Sequence, residues 1–173
     1  NSNEKYYQRN YINVDREKFD KWLASLIPPE VDIIYNCIYK SYKSDEDGVS
    51  VKFLLNGEIH EEKAKLLVGA DGGFSGVRNQ EFNNQRTPQR YVAVQEWFKR
   101  EDNLDFYGSI FDREITDFYS WIIPKDEYLV VGSALKPNNQ VHEKFQLLKD
   151  KLKDKGFKLE NSIKTNGTYL LRP

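Results

Sequence analysis

The stretch KLLVGADGGFSGVR, residues 65–78, sets one carboxylate among four glycines, a serine and an arginine. Asp71 can accept hydrogen bonds from two hydroxyls, and a charged acceptor bonds about twice as strongly as a neutral one. Gly69 lacks a Cβ, so its backbone can come close to whatever lies beyond it. Gly72 and Gly73 free the chain to turn. Ser75 can cap a helix whose first N–H groups favour an oxygen-rich ligand. Arg78 is spaced to pair with Asp71 or with a phosphate. Two readings of this spacing stay open: an ordinary Asp-Gly turn, or an apolar strand that ends where a carboxylate and bare backbone meet a ligand. The G-x-G-x-x-G fingerprint is absent, so the stretch is not itself a pyrophosphate loop.

The elements that must position these residues are readable in part. Phe19, Trp22, Leu23 and Leu26 share one helical face, with Asp15 as N-cap and Pro28-Pro29 as the stop. VDIIYNCIYKSYK (31–43) is β-branched and aromatic and reads as a strand, followed by turn residues at 45–48. Asn56-Gly57 predicts a two-residue hairpin turn that pairs Leu54 with Ile59 and Lys52 with Glu61. The chain then runs straight on into KLLVGAD, read as a further strand. Residues 79–90 are polar and read as a loop. From Tyr91 to Leu135 the texture is that of an antiparallel meander with a heavy aromatic load. Val141, Phe145, Leu148 and Leu152 form a helical stripe stopped by Gly156, and 157–173 reads as irregular. The order of elements predicts an α+β fold, a largely antiparallel sheet with helices packed on one face.

Composition narrows the functional classes. Twenty-six Lys+Arg against 27 Asp+Glu leave a net charge of -1, so no bulk field draws the chain to nucleic acid or to membrane. No apolar run reaches the length of a membrane span. The single Cys37 fits a reducing, cytoplasmic setting and reads as a buried small hydrophobe. His60 and His142 lie far apart in charged segments, which argues against a metal cluster and suggests no general base. The chain contains no Met, begins Asn1-Ser2-Asn3 and ends in TYLLRP, so a piece of a longer protein is expected.

LLVGADGGFSGVR resembles the second flavin-binding motif of flavoprotein oxidoreductases related to p-hydroxybenzoate hydroxylase and geranylgeranyl reductase. VDREKFDKWLASL is similar to the helix that precedes the substrate-domain strands in that group. DFYSWIIPKDEYLVVGSAL looks like the reductase branch's aromatic-Trp-Pro segment followed by a Val-Gly strand. Thr116-Asp117 stands where that branch has Pro-Gly, and Ile123 where an aromatic residue is common.

The resemblance implies FAD as cofactor, with Asp71 bonding its ribityl chain, Gly69 and Gly72 permitting close approach, and Arg16 near the ribityl or pyrophosphate. It implies that 1–173 is a single substrate domain of a two-domain flavoprotein. Residues 65–80 would be the strand and turn that return to an FAD-binding half, whose N-terminal βαβ unit lies outside this chain. A fragment lacking that half would be inactive. An apolar or aromatic small molecule is the expected substrate, with Trp121, Trp97 and Tyr107 as candidate contacts and core packing as the other reading of Trp121. The rival functions are an aromatic hydroxylase or halogenase of the same superfamily, and a non-catalytic protein-binding module.

Overall fold

The computed structural model describes residues 3–82, 88–101 and 103–172. Where the sequence reading takes 1–173 as one domain, the chain gathers into two compact units, 1–36 and 37–173. The first contains α1 (Arg16–Ser25). Asp15 is its N-cap, and its carboxylate accepts from the Glu17 and Lys18 N–H groups at 3.1 and 3.2 Å. The predicted apolar face is present, with the Phe19 and Trp22 rings 5.6 Å apart, yet no residue of the helix is buried.

The second unit holds two antiparallel sheets. β1 (Cys37–Asp45), β2 (Gly48–Leu55) and β3 (Glu58–Ala64) form a three-stranded meander. Asn56 and Gly57 both have positive φ, as the predicted turn requires. Leu54 faces Ile59, and Lys52 faces Glu61 with an ion pair at 3.5 Å. The strand predicted from residue 31 starts only at Cys37, because Asn36 adopts a left-handed conformation that breaks the extended run. A bulge at Lys40 shifts the β1–β2 register between Tyr39 and Ser41.

The predicted loop at 79–90 is partly regular. α2 (Gly76–Phe82) takes its first four residues, and β4 (Gln89–Lys99) its last two; 83–87 lie outside the described residues. β5 (Gly108–Ile110), β6 (Ser120–Lys125) and β7 (Tyr128–Leu135) are the consecutive strands of the expected meander. β4 does not join them in chain order. It lies between β7 and β8 (Lys164–Arg172), giving the order β5-β6-β7-β4-β8. β8 corrects the irregular reading of the C-terminal stretch. It is an edge strand with a polar, exposed first half, and nine paired positions along β4 override its weak propensity.

α3 (Val141–Asp154) covers one face of this sheet. Phe145, Leu148 and Leu152 pack on Phe98, Ile122, Leu129 and Val131. Gly156, with φ +93°, ends the helix, and the Phe157 N–H returns to the Leu152 carbonyl at 3.1 Å. The architecture is the predicted one: α+β, antiparallel, with helical cover on one sheet face. Among the described residues no helix is long and apolar enough to cross a membrane.

Candidate functional site

After β3 the chain passes through residues 66–70 without a strand partner among the described residues, which corrects the predicted strand. Leu66 and Val68 are 76 % and 75 % exposed there. At the end of this segment Asp71 meets the start of α2. Its Oδ2 accepts from the Gly76 N–H at 2.7 Å and the Val77 N–H at 3.3 Å, and its Oδ1 accepts from the Ser75 hydroxyl. Ser75 Oγ in turn accepts from the Arg78 N–H at 3.0 Å, so two side chains share the capping of one short helix. The Ser75 hydroxyl, followed by the Val77 and Gly76 N–H groups, holds the Asp71 carboxyl below the usual carboxylate range, against the opposing effect of desolvation. This is neither a hairpin turn nor a free acid. A carboxylate has about four acceptor directions, and Asp71 remains exposed, so a further hydroxyl can still be received.

The glycines divide by role. A Cβ at Gly69 would lie 2.8 Å from Val77 Cβ, and one at Gly76 would lie 3.0 Å from the Tyr39 ring. Both positions are small because protein packs against them. Gly72 differs: its φ is +76°, and nothing lies within 4 Å of where a Cβ would stand. The backbone beside Asp71 is thus bare on an open side. Arg78 does not pair with Asp71; its Nη2 donates to the Gly73 carbonyl at 3.0 Å.

Beside Asp71 and Gly69 runs a largely apolar groove of about 330 Å³, lined by Cys37, Tyr39, Phe53, Leu67 and Val77 among others. Cys37 is therefore exposed and not a buried hydrophobe: β1 is the edge strand of a sheet that buries none of its residues. Phe53 also stacks on His60, with ring centroids 5.7 Å apart.

The remaining candidates belong to other elements. Arg16 opens α1 in the first unit and pairs with Asp20 at 3.3 Å. Trp121, on β6, is 8 % exposed, and its indole lies over Gly132, where a Cβ would come within 2.3 Å of the ring. Tyr119 sits 5.6 Å from it, and Tyr91 and Ala134 complete the cluster. Trp97, on β4, stands opposite Val130 and Lys164, while Trp121 stands opposite Gly132, itself opposite Gln95. By this register both tryptophans share the sheet face away from α3. The Lys164 and Lys125 ammonium groups lie 5.3 and 5.6 Å from the Trp97 ring centroid. Tyr107 lies just before β5 and is partly exposed. The groove beside Asp71 includes none of these three aromatics.

Thr116 and Asp117, which depart from the reductase pattern, are both engaged. The Thr116 hydroxyl donates to the Ala134 carbonyl, and Asp117 accepts from the Tyr91 hydroxyl at 2.9 Å and pairs with Lys136 at 2.7 Å. Sequence reasoning missed Tyr39, Tyr42 and Gln80, which tie α2 to β1. Gln80 fell in a segment read as loop, and the bulge that turns Tyr42 toward it leaves no local sequence signal.

No protein-family model matches the chain. It is 37 % identical over 167 residues to protein CbrA of Escherichia coli O9:H4, covering 96 % of this chain and 45 % of that protein. The chain thus spans about half the length of the curated relatives it matches. Among solved structures, a geranylgeranyl bacteriochlorophyll reductase-like protein from Thermoplasma acidophilum superposes with a TM-score of 0.74 at 19 % identity, over 95 % of this chain and 45 % of that one. CmlS, a flavin-dependent halogenase, superposes with a TM-score of 0.65 at 19 % identity, over 91 % of this chain and 31 % of that one. The resemblance read in the sequence is met in three dimensions: the chain has the fold of a segment of the reductase-like and flavin-dependent halogenase structures.

Proposed function

We propose that this chain is part of an FAD-dependent oxidoreductase, geranylgeranyl-reductase-like, in which Asp71 receives a hydroxyl of the cofactor's ribityl chain. The single observation that carries the reading is the state of that carboxylate. It is fixed at the start of α2 by Ser75, Gly76 and Val77, yet it is exposed beside the open backbone of Gly72. A group held in place before the ligand arrives loses little freedom on binding. When bound, the flavin supplies the redox chemistry. This chain's residues bind and orient it: Asp71 as acceptor, Gly72 as the open approach, Arg16 as a further contact. The phosphate-binding half is contributed by residues of the full-length protein outside this chain, and the fragment alone is inactive.

The substrate in this reading is an apolar or aromatic small molecule held against the face of the five-stranded sheet away from α3, with Trp121, Trp97 and Tyr107 as its contacts. The fold shared with the reductase-like protein supports double-bond reduction; the fold shared with CmlS supports an oxygen-dependent halogenase or hydroxylase as the second reading. Turnover by the full-length protein with and without oxygen separates them. The balanced charge and lone cysteine support a cytoplasmic enzyme without nucleic-acid partners.

The test is Asp71→Ala in the full-length protein. Retention of FAD, measured by equilibrium dialysis, is expected to weaken by about 1.5–3 kcal/mol, the range for a hydrogen bond to a charged group. Wild-type affinity in the variant overturns the assignment.

A further inference from the structure

Gln80 makes three hydrogen bonds with one side chain. Its Oε1 accepts from the Tyr39 hydroxyl at 2.6 Å and from the Tyr42 N–H at 3.1 Å. Its Nε2 donates to the Tyr42 carbonyl at 2.6 Å. The side-chain amide thus meets the Tyr42 backbone as a neighbouring strand's peptide group would, on an edge strand just past the bulge. Next to it the Glu81 carboxylate accepts from the Tyr42 hydroxyl. Four residues back along the same helix, Gly76 packs on the Tyr39 ring and donates to Asp71.

α2 has seven residues and buries none of them. A helix that short does not persist by its own propensity, so its place is set by its ties. At one end those ties are Asp71 and Ser75; at the other they are Gln80 and Glu81. The N–H groups that aim the Asp71 carboxylate belong to the same short helix that Gln80 fastens to β1.

We infer that Gln80 is the positioning residue for Asp71, and that through it β1 sets where the carboxylate stands toward the cofactor. The inference rests on the assignment of Asp71 to FAD. No other amino acid of similar length provides both an acceptor and a donor here: Glu loses the donor, and Met loses both.

The test is a double-mutant cycle on FAD affinity in the full-length protein, titrated by flavin fluorescence. Gln80→Met is expected to weaken binding about fivefold, as for loss of a neutral hydrogen-bond set at a surface. In an Asp71→Ala background the same change is expected to do almost nothing, because the residue it positions is gone. A purely structural role for Gln80 would give equal losses in both backgrounds, and that result overturns the inference, as does wild-type affinity in Gln80→Met. Should Gln80→Met fail to fold, Tyr39→Phe removes one bond of the clamp and keeps the amide pairing. A smaller loss that again vanishes without Asp71 supports the inference, and equal losses overturn it. A wild-type protein that binds no FAD overturns the cofactor assignment first, and this inference with it.

Discussion

The two sheets of residues 37–173 are held in different ways. The five-stranded sheet lays Phe98, Ile122, Leu129 and Val131 beneath α3, and Leu148 of α3, packed on that layer, is 1 % exposed. The three-stranded sheet buries none of its residues, and Ile59 at its outer strand is 59 % exposed. On the first sheet, apolar contact area fixes the structure. On the second, turn geometry and the hydrogen bonds from α2 do so. The candidate cofactor contact belongs to the lightly held region, where a local opening would cost little. The aromatic face belongs to the firmly held one.

The sharpest way to break this contrast is to remove one aliphatic side chain from the α3 cover of the large sheet and one from the small sheet. Leu148→Ala is expected to cost about 2–5 kcal/mol in urea unfolding, the range for a buried leucine. Ile59→Ala is expected to stay within about 0.5 kcal/mol, as for an exposed position. Equal effects would show that the small sheet is held by packing after all. Next in size is Gly132→Ala, whose methyl group would meet the Trp121 indole at 2.3 Å. An expected loss of about 1–3 kcal/mol, together with an altered near-UV tryptophan signal, would show that β6 and β7 are locked by this contact. A neutral result would mean that the indole can move aside, and would favour Trp121 as a mobile substrate contact.

The contrast also explains which parts of the molecule could be read in advance. α1, α3 and the Asn56-Gly57 hairpin are local in origin: a helical stripe with a cap or stop, or a turn dipeptide flanked by compatible pairs. α3 shows its stripe because it covers a sheet, and Phe145, Leu148 and Leu152 were visible as its core. β8 was hidden because an edge strand needs no apolar alternation, and its pairing with β4 spans most of the second unit. α2 was half-hidden. Ser75 signalled a helix start, but a helix tied by Gln80 and Glu81 to a bulged strand carries polar residues where an apolar face would otherwise be sought. The glycine stretch was legible as a place of close approach, yet not what approaches. Val77 and Tyr39 account for Gly69 and Gly76, leaving Gly72 as the open one.

The smallest expected effects are electrostatic, and they sharpen the same comparison. Asp71, bonded first by Ser75, and Asp112, bonded first by Lys151 of α3, both have lowered carboxyl pKa values in the folded state. A depressed carboxylate contributes stability in full above its unfolded value, about 3.9, and loses it as pH falls through the folded value. The stability gap between wild type and Asp112→Asn is therefore expected to be complete at neutral pH and to close in acid below the ordinary carboxylate range. The gap for Asp71→Asn is expected to close in the same direction. A gap that widens on acidification would contradict both assignments. Following the two by chemical denaturation across pH would show whether the helix-capping acid and the lysine-paired acid fade together or in sequence.

The amide of Gln80 has an effect reaching past its own molecule. The rim of a sheet exposes unmet peptide groups on which a foreign chain can zip, the first step toward cross-molecular aggregates. At Tyr42 both such groups are already taken, so an intruding segment would have to evict Gln80 before it could add even one rung.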